Sequence, residues 1–229
     1  MLHGKGLSYM LGLFNKVKQK FKKPQIDEPV EAQREQALSD PFVQNGTFLL
    51  SEGCDEIPNA KGQFGRDRNN PIPVNSVVGE FIYLERLRGK NDVTFLYHRL
   101  GSTVSSISGN NVDIYELVSC DAEHWDILYL DPYYTYRSKK SPDGFYLKKW
   151  DEYADFEQDL MKHCCLLHGV NGRVENFPFG LLDIIGKRLD EMLPGFNAGK
   201  SMRDALLSLF NKIPAEKWIN PHGIRRFTP

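Results

Sequence analysis

The chain has 229 residues, of which 41% are hydrophobic and 26% charged, with 29 basic and 30 acidic side chains and a formal net charge of −1. That length supports one sizeable core, and the balanced charge excludes a nucleic-acid binder that works by bulk positive charge. The cysteines Cys54, Cys120, Cys164 and Cys165 are too few and too clustered for a disulfide scaffold, so a reduced, cytoplasmic setting is expected, and no apolar run reaches the roughly 18–20 residues of a membrane-spanning helix.

Residues 1–24 stand apart from the rest: Lys5, Lys16, Lys18, Lys20, Lys22 and Lys23 occur with no acid among them. Leu7, Met10, Leu11, Phe14, Val17 and Phe21 recur at three- and four-residue steps, which predicts a basic amphipathic helix ended by Pro24. Its apolar edge can rest on the body of the protein, enter a partner's groove, or lie on an anionic membrane surface with Lys16, Lys18, Lys20, Lys22 and Lys23 as the attracting charges. The segment lacks the cleavage site of a signal peptide, and Met10 is a second candidate start. Residues 25–46 read as a polar connector. Residues 47–229 read as a single α+β domain, with a sheet-containing part at 47–150 and a helical part at 151–229.

Within that domain residues 47–50 suit a short strand, and the Gly-, Asn- and Pro-rich stretch to Pro73 suits turns followed by an extended edge. Ser76 opens a helix through Ile82 and Leu87, with Gly89 as its stop. Residues 93–100, 112–119 and 125–130 are β-branched or aromatic and separated by short turns, which predicts an antiparallel meander. Their apolar residues do not alternate cleanly, so the sheet is expected to be covered on both faces. Three helices follow, over 151–168, 179–193 and 201–213, the last with a capping arrangement at Ser201-Met202-Arg203-Asp204. The fold class is therefore α+β: a small, mainly antiparallel sheet of three strands or more, packed by the C-terminal helices and the helix after Ser76.

Pro194-Gly195-Phe196-Asn197-Ala198-Gly199-Lys200-Ser201 lies one residue from a phosphate loop, but Pro194 holds the first-glycine position and a helix precedes it. It reads as a helix stop and a new helix start. His163, Cys164, Cys165 and His168 carry ligand-type atoms, yet His163 and His168 point apart on a helix and no second ligand pair matches them, so no metal or other cofactor is expected. His98, at a strand centre, has the chemistry of a general base or of a hydrogen-bonded core residue.

The best site candidate is the segment after the third strand, where Asp131, Tyr133, Tyr134, Tyr136 and Arg137 follow an apolar run. Tyr133, Tyr136 and Arg137 can bind an anion or stack on a flat ligand, and Arg66 and Asn70 in the earlier Gly-rich loop can join them if the 66–74 and 131–137 loops meet. Asn and Asp in that earlier loop equally hold their own backbone in turns. The favoured reading is a cytosolic, non-enzymatic binding protein that engages a protein partner or itself, with surface attachment through the N-terminal helix as an added feature. The alternatives are an enzyme whose polar site joins His98, Asp131 and Arg137, and a peripheral membrane protein anchored by residues 7–21.

Overall fold

The computed structural model describes residues 55–134, 136–153 and 167–214. The basic helix expected over 1–24, the 25–46 connector, the 47–50 strand and most of the 151–168 helix lie outside these residues, as do Cys54, His163, Cys164 and Cys165.

The expected meander is present. Strands β3 (Phe95–Val104), β4 (Asn111–Ser119) and β5 (Trp125–Asp131) pair antiparallel in sequence order. Two-residue strands extend the sheet at both edges: β1 (Ile72–Pro73) runs parallel to β5, and β7 (Gly169–Val170) runs parallel to β3, giving the order β1-β5-β4-β3-β7. A small second sheet joins β2 (Leu87–Arg88) to β6 (Tyr146–Leu147). Pro73 sits at an edge, where its missing N–H costs no ladder bond.

Helix α1 (Ser76–Arg86) begins where expected, and Ser76 Oγ accepts the amide of Val78 at 3.2 Å. It ends earlier than Gly89: Leu87 is already extended, because β2 takes Leu87 and Arg88 into pairing with β6. Helices α2 (Phe179–Met192) and α3 (Ala198–Phe210) form a hairpin. The expected cap at Ser201 is displaced four residues upstream, where Asn197 precedes the helix and Asp190 accepts the amides of Gly199 and Lys200 at 2.8 and 3.1 Å. The helices cross where Gly186 meets Gly199; a methyl group on Gly199 would overlap the Gly186 carbonyl, so only glycine permits this approach.

The sheet is covered on both faces. Pairing register places Phe95, Tyr97, Arg99, Tyr115, Leu117 and Leu128 on one face and Leu96, His98, Glu116, Val118 and Ile127 on the other. α1 packs on the first face through Glu80 and Glu85. On the second, the His98 ring stacks on Phe177, two residues before α2, with centroids 4.1 Å apart. One continuous core cluster runs from Phe64 through Tyr83, Leu96 and Leu128 to Leu181, Leu206 and Phe210. Burial of each large side chain in it contributes about 1.5–3 kcal/mol. The protein is thus α+β, a five-stranded, mainly antiparallel sheet packed by α1 and the C-terminal helices.

Candidate functional site

The two loops that bracket the middle of the chain are joined by their backbones. β1 lies against the end of β5, and the ladder continues past it: Val74 N donates to Asp131 O at 2.9 Å, Ser76 N to Pro132 O at 2.7 Å, Tyr134 N to Val74 O at 3.1 Å and Ser138 N to Pro73 O at 2.9 Å. The β3–β4 turn is tied to both. Asn69 Oδ1 accepts the amide and hydroxyl of Ser106 at 2.9 and 2.8 Å, and Asp131 accepts Ser108 Oγ at 2.8 Å and Asn110 Nδ2 at 3.1 Å. Three loops therefore meet at one end of the sheet and hold one another in place.

Most of the polar residues singled out in these loops act as ties. The Asp131 side chain is buried, and beyond the β3–β4 turn it accepts the Tyr133 amide at 3.2 Å. Asn70 is buried and donates to Gly62 O at 2.8 Å, and Asp67 Oδ1 accepts the Asn69 amide at 2.8 Å, the self-holding turn pattern anticipated for this loop. Arg66 reaches across to Asp126 Oδ2 at 2.7 Å and Asp143 O at 2.8 Å, with its guanidinium over the Phe145 ring. Arg137 is among the largest fully buried side chains. Tyr133 and Tyr136 behave differently: they are 64% and 48% exposed, on a loop whose backbone is fastened on both sides.

His98 belongs to another part of the molecule. It is fully buried, with Nδ1 accepting the Val174 amide at 2.9 Å and Nε2 at 2.7 Å from Glu116 Oε2. Because Nδ1 accepts, Nε2 carries the hydrogen and donates it to the carboxylate. Glu116 Oε1 takes the Trp125 indole N–H at 3.0 Å. In the sheet His98 is level with Glu116 and Ile127, two strands away from Asp131 and four residues short of it. That separation is on the order of 16 Å between backbones, so the two side chains do not converge.

Two glutamates that sequence reasoning passed over are perturbed in opposite directions. Both lie on α1, and both are buried. Glu80 Oε2 accepts Tyr115 Oη at 2.8 Å, and burial, with the charge of Asp113 second, pushes its carboxyl up to about 9. Glu85 Oε1 accepts Tyr97 Oη at 2.8 Å and the amides of Leu167 and His168 at 3.0 Å each, while Oε2 lies 2.7 Å from His168 Nδ1. Burial alone would raise the Glu85 carboxyl, but His168 and these hydrogen bonds outweigh it and hold the group below its ordinary value. A readable signal existed: a helix with apolar residues around most of its circumference cannot keep its glutamates in water, and neither can a two-faced strand keep Glu116 there.

The phosphate-loop lookalike is occupied by the protein itself. Gly199 and Lys200 give their amides to Asp190, and Lys200 Nζ pairs with Asp204 at 3.1 Å. Among the described residues no group of three or more His, Cys, Asp or Glu side chains is placed to hold a metal ion, and no helix is long and apolar enough to cross a membrane. Comparison of the chain with protein-family models, with curated proteins and with solved structures gave no match.

Proposed function

We propose that the chain is a non-enzymatic binding protein whose contact surface is the loop end of its sheet, centred on Tyr133 and Tyr136. The observation that carries this reading is where exposed apolar surface lies. Among the described residues Val77, Val104, Tyr133 and Tyr136, four of the seven exposed large hydrophobic residues, belong to this end, beside the junction of α1, the β3–β4 turn and the 131–138 loop. Tyrosine suits a contact surface: it offers a large face and a polar tip with few rotatable bonds. The loop beneath is already ordered, which lowers the entropy cost of association. The nearby polar groups, Asp131 and Asn70, are engaged in ties that a reaction would have to break.

The occupant is a protein surface or a second copy of the chain, in a reduced cytoplasmic setting. Cys120 is a buried thiol that burial pushes up to about 11, so it resists becoming the reactive thiolate. The test is to compare full-length wild type with Tyr133→Ser/Tyr136→Ser. Light scattering reads self-association, and quantitative mass spectrometry of proteins retained from the native lysate reads a partner. Loss of a stoichiometric partner or of the self-complex in the double variant, at unchanged unfolding temperature, is expected. Equal retention and equal mass for both proteins would overturn the reading.

A further inference from the structure

Helix α1 and strand β4 bring two carboxyl groups together with one cation. Glu80, fully buried on α1, faces β4 at Tyr115, and Asp113, itself buried, lies two residues before Tyr115 on the same face of that strand, where its charge helps raise the Glu80 carboxyl. Arg99 of β3 donates from Nη2 to Asp113 Oδ1 at 2.5 Å. Tyr115 gives its hydroxyl to Glu80 Oε2 at 2.8 Å and lies 3.3 Å from Asn171 Oδ1. Among the described residues none donates an N–H or O–H to Glu80 Oε1. If both carboxyls were ionised, two buried negative charges would face one positive charge, that of Arg99, which is itself partly exposed. Such an arrangement is costly, and a single proton between the two carboxyls relieves it.

We propose that Glu80 keeps its proton at neutral pH and donates it from Oε1 to the Asp113 carboxylate, fastening α1 to β4 by a carboxyl–carboxylate contact whose hold weakens as pH rises. The two otherwise separate features then have one cause: Oε1 lacks a donor because it is the donor, and Oε2 remains free to accept Tyr115. The charged and titratable groups facing Glu80 are Asp113 and Tyr115 from β4 and Arg99 from β3; burial and Asp113 raise its carboxyl, while Tyr115 and Arg99 oppose them. The folded-state value, about 9, lies above the ordinary 4.5. The contribution to stability is therefore full below about pH 4.5 and is lost as pH rises through about 9.

Two measurements on the full chain test this. In wild type with carbon-13 at the glutamate carboxyls, Glu80 is expected to titrate well above pH 7; a midpoint near 4–5 overturns the proposal. In urea unfolding, the equilibrium constant of wild type relative to Glu80→Gln is expected to rise about tenfold per pH unit between about pH 5 and 8. A constant ratio across that window overturns it. Asp113→Asn should lower the Glu80 midpoint, and an unmoved midpoint would show that Asp113 is not the acceptor. The wild-type titration stands alone if Glu80→Gln fails to fold.

Discussion

Tyr97 and Tyr115 meet edge to face in the core, ring centroids 6.2 Å apart, and each gives its hydroxyl proton to a different glutamate of the same helix: Tyr97 to Glu85 and Tyr115 to Glu80. The two tyrosines come from neighbouring strands and the two glutamates from α1, so this pair of bonds fastens the helix to the sheet. The chemistry at the two ends is opposite. Glu85 is held ionised by four hydrogen-bonding contacts, and Glu80 is held protonated by burial and a neighbouring carboxylate.

The Glu85 end gives the protein an acid limit. Its folded-state carboxyl lies below the ordinary 4.5, so its contribution is present above that value and is lost as pH falls below it. Glu85→Gln at neutral pH leaves the Leu167 and His168 donors poorly matched, at an expected cost of about 2–4 kcal/mol in urea unfolding. Between about pH 5 and 3 the wild type should lose stability faster than this variant. Parallel loss in both would show that Glu85 is not ionised in the folded state.

Tyr97→Phe isolates one of the four contacts. It removes a single donor from a carboxylate that keeps three others, with an expected cost of about 1–2 kcal/mol. Paired with Glu85→Gln in a double-mutant cycle, the two losses should not add, since both act on one hydrogen-bond group.

Glu116 serves two buried or half-buried donors, His98 Nε2 and Trp125 Nε1. Glu116→Ala strands both, and about 3–5 kcal/mol should be lost, read by unfolding with Trp125 fluorescence as one probe. A loss under about 1 kcal/mol would mean that water replaces the carboxylate.

Asp131→Ala tests the loop junction. Ser108, Asn110 and the Tyr133 amide lose their shared acceptor, so amide exchange at these residues should speed up by an order of magnitude or more, with about 1–3 kcal/mol of global destabilisation. Tyr133→Ser and Tyr136→Ser should each stay within about 0.5 kcal/mol of wild type, because neither ring is packed in the core. Unchanged exchange in Asp131→Ala would show that the backbone ladder alone holds the loop.

Gly199→Ala tests the helix crossing. The added methyl group has no room against Gly186, so α2 and α3 must separate, with an expected cost of at least about 2 kcal/mol by thermal or urea unfolding. The same change at Gly195, which has open space beside it but sits at φ 85°, should cost about 1 kcal/mol from backbone strain alone.

The order and kind of the main elements follow from local sequence alone. The meander was legible because strand residues, turn residues and lengths are local properties: residues 112–119 and 125–130 match β4 and β5 closely, while 93–100 finds β3 but stops four residues short, at the register shift beyond which pairing continues to Val104. The start of α1 and both helices of the C-terminal hairpin were legible from periodicity for the same reason, as was the need to cover both faces of the sheet. The tertiary structure alone decided the rest. Two-residue strands such as β1 and β7 carry no period to read; they exist because β5 and β3 offer edges to them. Only the fold showed that Asp131 ties a turn, that His98 pairs with Glu116, and that Tyr133 and Tyr136 remain in solvent. The charge on a buried carboxyl is the extreme case. Glu80 and Glu85 are the same residue on the same helix, and their opposite states follow from burial beside Asp113, 33 positions away, for one and from His168, 83 positions away, for the other. Local sequence sets backbone conformation through short-range sterics, whereas a proton's free energy depends on dielectric and charge, which only folding brings together.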